Sequence, residues 1–265
     1  MKINKISYNK KEGKLSFIIR DTTPAFMNML RRIIIENVPT LAIEEVEFHK
    51  NDSILYDEMI AHRLGLTPLT TDLKTYNLPE NCKCKGKGCA RCSVKLVLNE
   101  KGPKTVYASS LKSDDPKVKP AFPKTPIVKL LKEQKLHFIA TAILGQGKTH
   151  TKWNPSRAYY KTIPIIEIKK DKSEVLKVLK ACKLDAIEES KGKIIVINPQ
   201  VPTTELCNNC MEKVANKVEF KESKNDIIFF IESWGQLSPK EIVVKAIDMA
   251  QEKLDKFVEK IKNTK

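Results

Sequence analysis

The last thirty residues constrain this chain most. Ser238, Pro239 and Glu241 form a helix start, with a hydroxyl cap, a proline in the first helical position and an acid three residues after the cap. The predicted helix runs from Pro239 to about Lys262. Within it Val243, Ile247, Ala250, Leu254, Phe257 and Ile261 alternate steps of four and three. That is a heptad seam, which buries itself against a second helix. Fewer than three full heptads are present, so packing on the chain's own sheet is the alternative.

The N-terminus makes a related demand. Residues 1–20 read as a hairpin turning at Lys10–Gly13, the second strand alternating Leu15, Phe17 and Ile19. Thr23 caps a helix with Pro24 at its first position. Phe26, Met27, Leu30, Ile33 and Ile34 give that helix a wide apolar face, which must be covered from within the chain or from outside it. Further predicted elements are a strand at Glu44–Phe48, a short helix at Asp57–Leu64, and strands at Val94–Leu98, Leu136–Leu144 and Ile163–Ile168. Between Thr70 and Pro126 the chain is rich in Pro, Lys and Ser and reads as an insert. After Lys172 come a helix at Ser173–Cys182 and a strand at Lys193–Ile197. A second hairpin, Val218–Phe220 and Ile227–Ile231, is expected to turn at Ser223–Asn225.

Cysteine placement is the main chemical signal. Cys82, Cys84, Cys89 and Cys92 lie within eleven residues, with Gly86 and Gly88 between the pairs. Four thiolates so spaced suit a tetrahedral ion such as zinc, and a site closed by four protein ligands is structural. Free thiols are the alternative. Cys182-Lys-Leu-Asp-Ala-Ile187 resembles the Cys-x3-Ala-Ile segment of bacterial ferredoxins, and Cys207-x2-Cys210 resembles part of their cysteine run. Thr204 stands where a further ligand would be, so an iron-sulfur cluster on Cys182, Cys207 and Cys210 and a clusterless ferredoxin-like unit both remain open.

Lys and Arg outnumber Asp and Glu by 48 to 32, a formal net charge of +16. The lysines are spread along the whole chain, so a solvated surface and a polyanion-binding surface are equally served. The first fifteen residues carry no apolar stretch like that of a secretory signal, and no apolar run is long enough to span a bilayer. A cytoplasmic protein without membrane contact is expected. Gly145-Gln-Gly-Lys-Thr149 fails as a phosphate loop because Ala142 stands where the leading glycine belongs. No nucleophile–base pair is evident, and no catalytic residue is assigned.

Three long motifs carry a resemblance. They are Leu30-Arg-Arg-Ile-Ile-Ile-Glu-Asn-Val-Pro-Thr40-x-Ala-Ile43, Asp57-Glu-x2-Ala-His-Arg-Leu-Gly-Leu-Thr-Pro-Leu69, and Ala142-x2-Gly-x-Gly-Lys-x-His-x-Lys-Trp-x-Pro155. They resemble the D-subunit family of archaeal DNA-directed RNA polymerase, which includes the third-largest subunit of eukaryotic RNA polymerase II and, more distantly, the bacterial alpha subunit. The resemblance implies an α+β fold. A dimerisation domain of sheet plus helices is built from both chain ends, residues 1–40 and 217–265. An inserted mixed β domain with the four-cysteine loop (41–170) and a small ferredoxin-like domain (171–216) lie between. It further implies a non-catalytic assembly role in transcription. Phe26, Leu30, Ile33 and Ile34 would join the heptad residues on the surface for a small L-like partner, and the pair would scaffold the two large catalytic subunits beside other small polymerase subunits. DNA would be met only indirectly. A small iron-sulfur or zinc protein with a redox or nucleic-acid-binding role is the competing expectation.

Overall fold

A computed structural model describes residues 1–169, 187–190, 193–196 and 217–263, together with Ser173, Val175 and Lys177. The fold is α+β. Its elements are β1 (Lys2–Asn9), β2 (Lys14–Arg20), α1 (Pro24–Glu36), β3 (Pro39–Asn51), α2 (Asp57–Gly65), β4 (Ser93–Lys101), β5 (Lys104–Tyr107), β6 (Lys112–Ser113), β7 (Pro126–Leu130), β8 (Lys135–Gln146), β9 (Ser156–Ile168), β10 (Ile187–Ser190), β11 (Lys193–Val196), β12 (Val218–Ser233) and α3 (Pro239–Asn263). None of the described helices is long and apolar enough to cross a membrane.

The chain divides into two compact units. One comprises residues 1–9, 14–31 and 158–231, the other residues 10–13, 32–157 and 232–265. The insert and the C-terminal helix therefore share a unit that the four-segment expectation separates.

The first unit is built on a sheet of order β1-β2-β12-β9-β11-β10. Ile18, Ile163, Ile228 and Phe230 form a buried cluster, with Ile6 packed against it. Phe17 stacks on Phe229 at 5.6 Å between ring centroids, and Tyr159 on Phe230 at 4.7 Å. Such aromatic pairs add to what area burial alone contributes.

β12 corrects the sequence reading. The expected second hairpin at Ser223–Asn225 is one continuous strand of 16 residues. A turn is unnecessary because the polar stretch finds backbone partners far away in sequence: Thr22 N–H donates to the Asn225 carbonyl at 2.9 Å. The Asp21 N–H points at Asp226 Oδ1, 3.4 Å away.

The second unit centres on an antiparallel sheet of order β3-β8-β4-β6, with β5 and β7 paired beside it. Along β8 every second residue turns inward, so Leu136, Phe138, Ala140, Ala142 and Leu144 are all buried. They meet Val94, Leu96 and Leu98 of β4 and Ile60 and Leu64 of α2 in one core. This period-two pattern gives one buried face and one open face.

The polar residues of the resembling motifs are largely absorbed by this architecture. Arg63 Nη1 donates to the Ile127 carbonyl at 2.8 Å, and Thr67 Oγ1 to the Arg63 carbonyl at 2.9 Å. Thr40 Oγ1 donates to the Trp153 carbonyl at 2.8 Å. Lys152 Nζ donates to the Ile43 carbonyl at 3.0 Å, pairs with Glu44, and lies over the Trp153 ring. A Cβ on Gly147 would sit 2.0 Å from the Ile35 carbonyl oxygen. The loop's glycines serve close packing, with no phosphate cradle.

Candidate metal centre and exposed helix face

The four-cysteine loop lies ahead of β4 and is folded by its own backbone. Lys85 N–H donates to the Cys82 carbonyl at 2.9 Å, and the N–H groups of Cys92 and Ser93 both donate to the Cys89 carbonyl, at 2.9 and 3.0 Å. Gly86 and Gly88 take φ of 80°, the left-handed region open to glycine, and Lys85 takes 52°. These turns bring four separated cysteines to one point.

The sulfur–sulfur distances are 3.5 Å for Cys82–Cys84, Cys82–Cys89 and Cys84–Cys92, and 3.8 Å for Cys89–Cys92. All four sulfurs lie within 4.8 Å of one another. A tetrahedral ion with metal–sulfur bonds of about 2.3 Å has sulfur–sulfur edges of about 3.8 Å, so the four cysteines can hold a metal ion. A disulfide needs about 2.05 Å, and all four are free thiols.

Crowding splits the thiols electrostatically. The Cys89 backbone N–H, chiefly, draws the Cys84 thiol down to about 6. Burial pushes Cys92 up to about 12. A bound cation would favour the thiolate at every position.

The second candidate surface is α3. Its capping box is reciprocal: Glu241 N–H donates to Ser238 Oγ at 3.3 Å, and Ser238 N–H donates to the Glu241 carboxylate at 2.9 Å. Ile242 and Ala246 are buried and anchor the first two turns. From Gln251 to Asn263 every residue is exposed. At 1.5 Å per residue those thirteen residues extend for about 20 Å.

The heptad residues divide along the helix. Val243 and Ala250 are half-buried, while Ile247, Leu254, Phe257 and Ile261 are 52, 59, 62 and 57% exposed. Val244 and Val258 are also exposed, at 59 and 46%, a flank the sequence reading missed. Each lies three or four residues from a seam position, which is the signal that would have found them.

α1 corrects another expectation. Leu30, Ile33 and Ile34 are 5, 7 and 0% exposed and belong to the protein's own core, so they are not free to meet a partner. A helix with so wide an apolar face covers one stripe internally and leaves the other. On α1 the stripe left is Phe26 and Met29, both 40% exposed. Met29 was not anticipated, although it lies one turn from Phe26. Cys182, Thr204, Cys207 and Cys210 lie outside the described residues.

Residues 42–168 match the family described as the RNA polymerase Rpb3/RpoA insert domain. The fold and its cysteine-bearing insert thus define an RNA polymerase subunit of the Rpb3/RpoA class. The chain is 38% identical over 254 residues to DNA-directed RNA polymerase subunit Rpo3 of Methanothermobacter thermautotrophicus, covering 94% of this chain and 95% of that one. It is 39% identical over 258 residues to subunit Rpo3 of Pyrococcus furiosus, covering 95% and 94%, and 36% identical over 259 residues to that of Methanopyrus kandleri, covering 96% and 94%. The chain belongs to the Rpo3 family of archaeal DNA-directed RNA polymerase subunits.

Proposed function

We propose that this chain is a non-catalytic assembly subunit of an archaeal-type RNA polymerase, heterodimerising with a small L-like subunit and scaffolding the two large catalytic subunits. The observation that carries the reading is the far half of α3. Most helical stability in a protein comes from covering an apolar face. Here Leu254, Phe257, Val258 and Ile261 face solvent. In a chain spanned almost end to end by Rpo3 relatives, a partner helix is the cover that fits a heptad spacing.

On the same reading the four-cysteine loop holds zinc. Four thiolates close the tetrahedron and leave no position for water or substrate, so the ion would order the insert and take no part in chemistry. Other small polymerase subunits would join the complex, DNA would be met only through it, and the setting would be the cytoplasm. A cluster on Cys182, Cys207 and Cys210 remains a separate proposal, which visible absorption of anaerobically prepared protein would decide.

The test is Leu254→Asp with Phe257→Asp, co-expressed with the small subunit. Covering each of these side chains is worth roughly 1.5 to 3 kcal/mol, so the pair of charges abolishes heterodimer on gel filtration while the circular dichroism of the lone chain stays native. A normal heterodimer from this variant would sink the reading.

A further inference from the structure

Beside the seam, on the other flank of α3, lies a groove of about 560 Å³. Leu73, Leu78 and Met249 give it apolar lining, and Asn77 and Gln146 add side-chain amides. Lys148, Lys245, Lys253 and Lys256 also line it, against two acids, Glu80 and Glu252. Lys253 is engaged, its Nζ 2.6 Å from Asn37 Oδ1. Lys148, Lys245 and Lys256 form no ion pair among the described residues.

This composition is that of a peptide groove. Amides pair with an extended backbone, apolar lining accepts one side chain, and uncompensated ammonium groups select carboxylates. A nucleic-acid strand fits less well, because Glu80 and Glu252 would face its phosphates, and the aromatic among the described lining residues, Tyr76, is buried with its hydroxyl on Asp115 and offers no face for a base to stack on. Position on the helix identifies the source. Lys253 lies three residues after Ala250 and four before Phe257 of the seam, and Met249 and Lys256 lie one turn to either side of it, so the groove borders the seam along Lys253 and a chain seated on the seam passes that edge.

We infer that the groove receives an acidic segment with one apolar anchor, supplied by the polypeptide that covers the seam, an inference that rests on the assembly reading above. The seam then gives affinity through buried area, and the groove fixes register and partner choice through charge.

The test titrates full-length wild-type chain, Lys245→Glu with Lys256→Glu, and Leu254→Asp with Phe257→Asp against the purified small subunit at about 0.05 and about 0.5 M salt. The groove variant is expected to bind roughly tenfold more weakly at low salt and to lose most of the salt dependence shown by wild type. A milder variant, Lys148→Ala with Lys256→Ala, is expected to fall between them, which guards against misfolding of the charge reversal. Undiminished binding by both groove variants, with binding lost in the seam variant, overturns the groove and leaves the assembly reading standing. Undiminished binding by all three overturns both. Should the groove variants keep heterodimer but lose binding to a single-stranded oligothymidylate, the groove is a nucleic-acid surface and the inference is overturned.

Discussion

The ammonium of Lys253 donates to Asn37 Oδ1 at 2.6 Å, tying α3 to the turn after α1 near the start of its exposed half. Asn37 is 7% exposed, and its own carbonyl accepts from Gln146 Nε2 at 2.8 Å. A buried asparagine is thus held by one charged and one neutral donor.

Lys253→Met removes the charged donor and keeps the aliphatic stem. The expected loss in global stability is small, under about 1 kcal/mol, because the lysine is largely exposed. The local effect is larger: amide exchange across Met249–Lys256 should accelerate while exchange in β8 is unchanged. Equal protection of the helix in both proteins would show that the contact does not pin it.

Gly145 and Gly147 cannot carry side chains. A Cβ on Gly145 would lie 2.2 Å from Trp153 Cε2, and one on Gly147 would lie 2.0 Å from the Ile35 carbonyl oxygen. Gly147→Ala meets backbone and should cost about 2 to 4 kcal/mol in urea unfolding, with Gly145→Ala close behind. Gly65→Ala is the control, since its nearest neighbour would be 3.6 Å away. Its stability should stay within about 1 kcal/mol of wild type. A similar cost at all three positions would count against the packing account.

Elemental analysis of gently purified protein should find about one zinc per chain, and Cys89→Ser or Cys92→Ser should lower it. Chelation should open the loop to trypsin, because Lys83, Lys85, Lys87 and Arg91 all lie between or beside the ligands. The sheet should survive, as its core of Leu96, Leu98, Leu136 and Phe138 includes none of the four cysteines. Resistance to trypsin after the metal is stripped would remove the ion from the account.

Asp72 supplies a pH dependence. The Lys117 ammonium 3.0 Å away, helped by the Lys74 N–H, holds its carboxyl down to about 2 from an ordinary value near 3.8. A carboxyl lowered in the folded state adds stability that is present above about pH 4 and is lost as the pH falls toward 2. Lys117 is 67% exposed, so screening limits the amount to under about 1 kcal/mol. Asp72→Asn should flatten the stability curve in that window relative to wild type, and parallel curves would exclude the pair.

How much of this was legible depended on whether the signal was local. The capping box of α3, the first hairpin and the cysteine loop each complete their hydrogen bonds or ligand set over a short stretch of chain, and each stands where the sequence puts it. β12 was misread because Ser223-Lys224-Asn225 carries turn residues, while the partner that keeps it extended is Thr22, near the other end of the chain. On α1 the sequence shows that Leu30, Ile33 and Ile34 must be covered, but not by which surface. The groove was invisible because Lys148, Leu78 and Lys245 meet only once the insert is folded.

The naked half of α3 has a consequence for the economy of the cell. A copy made in excess of its partner displays about 20 Å of oily helix to the surrounding proteins, a patch that invites clumping or capture by quality-control machinery. Matched synthesis of the two chains, or rapid destruction of the surplus, would be the way such a protein stays harmless.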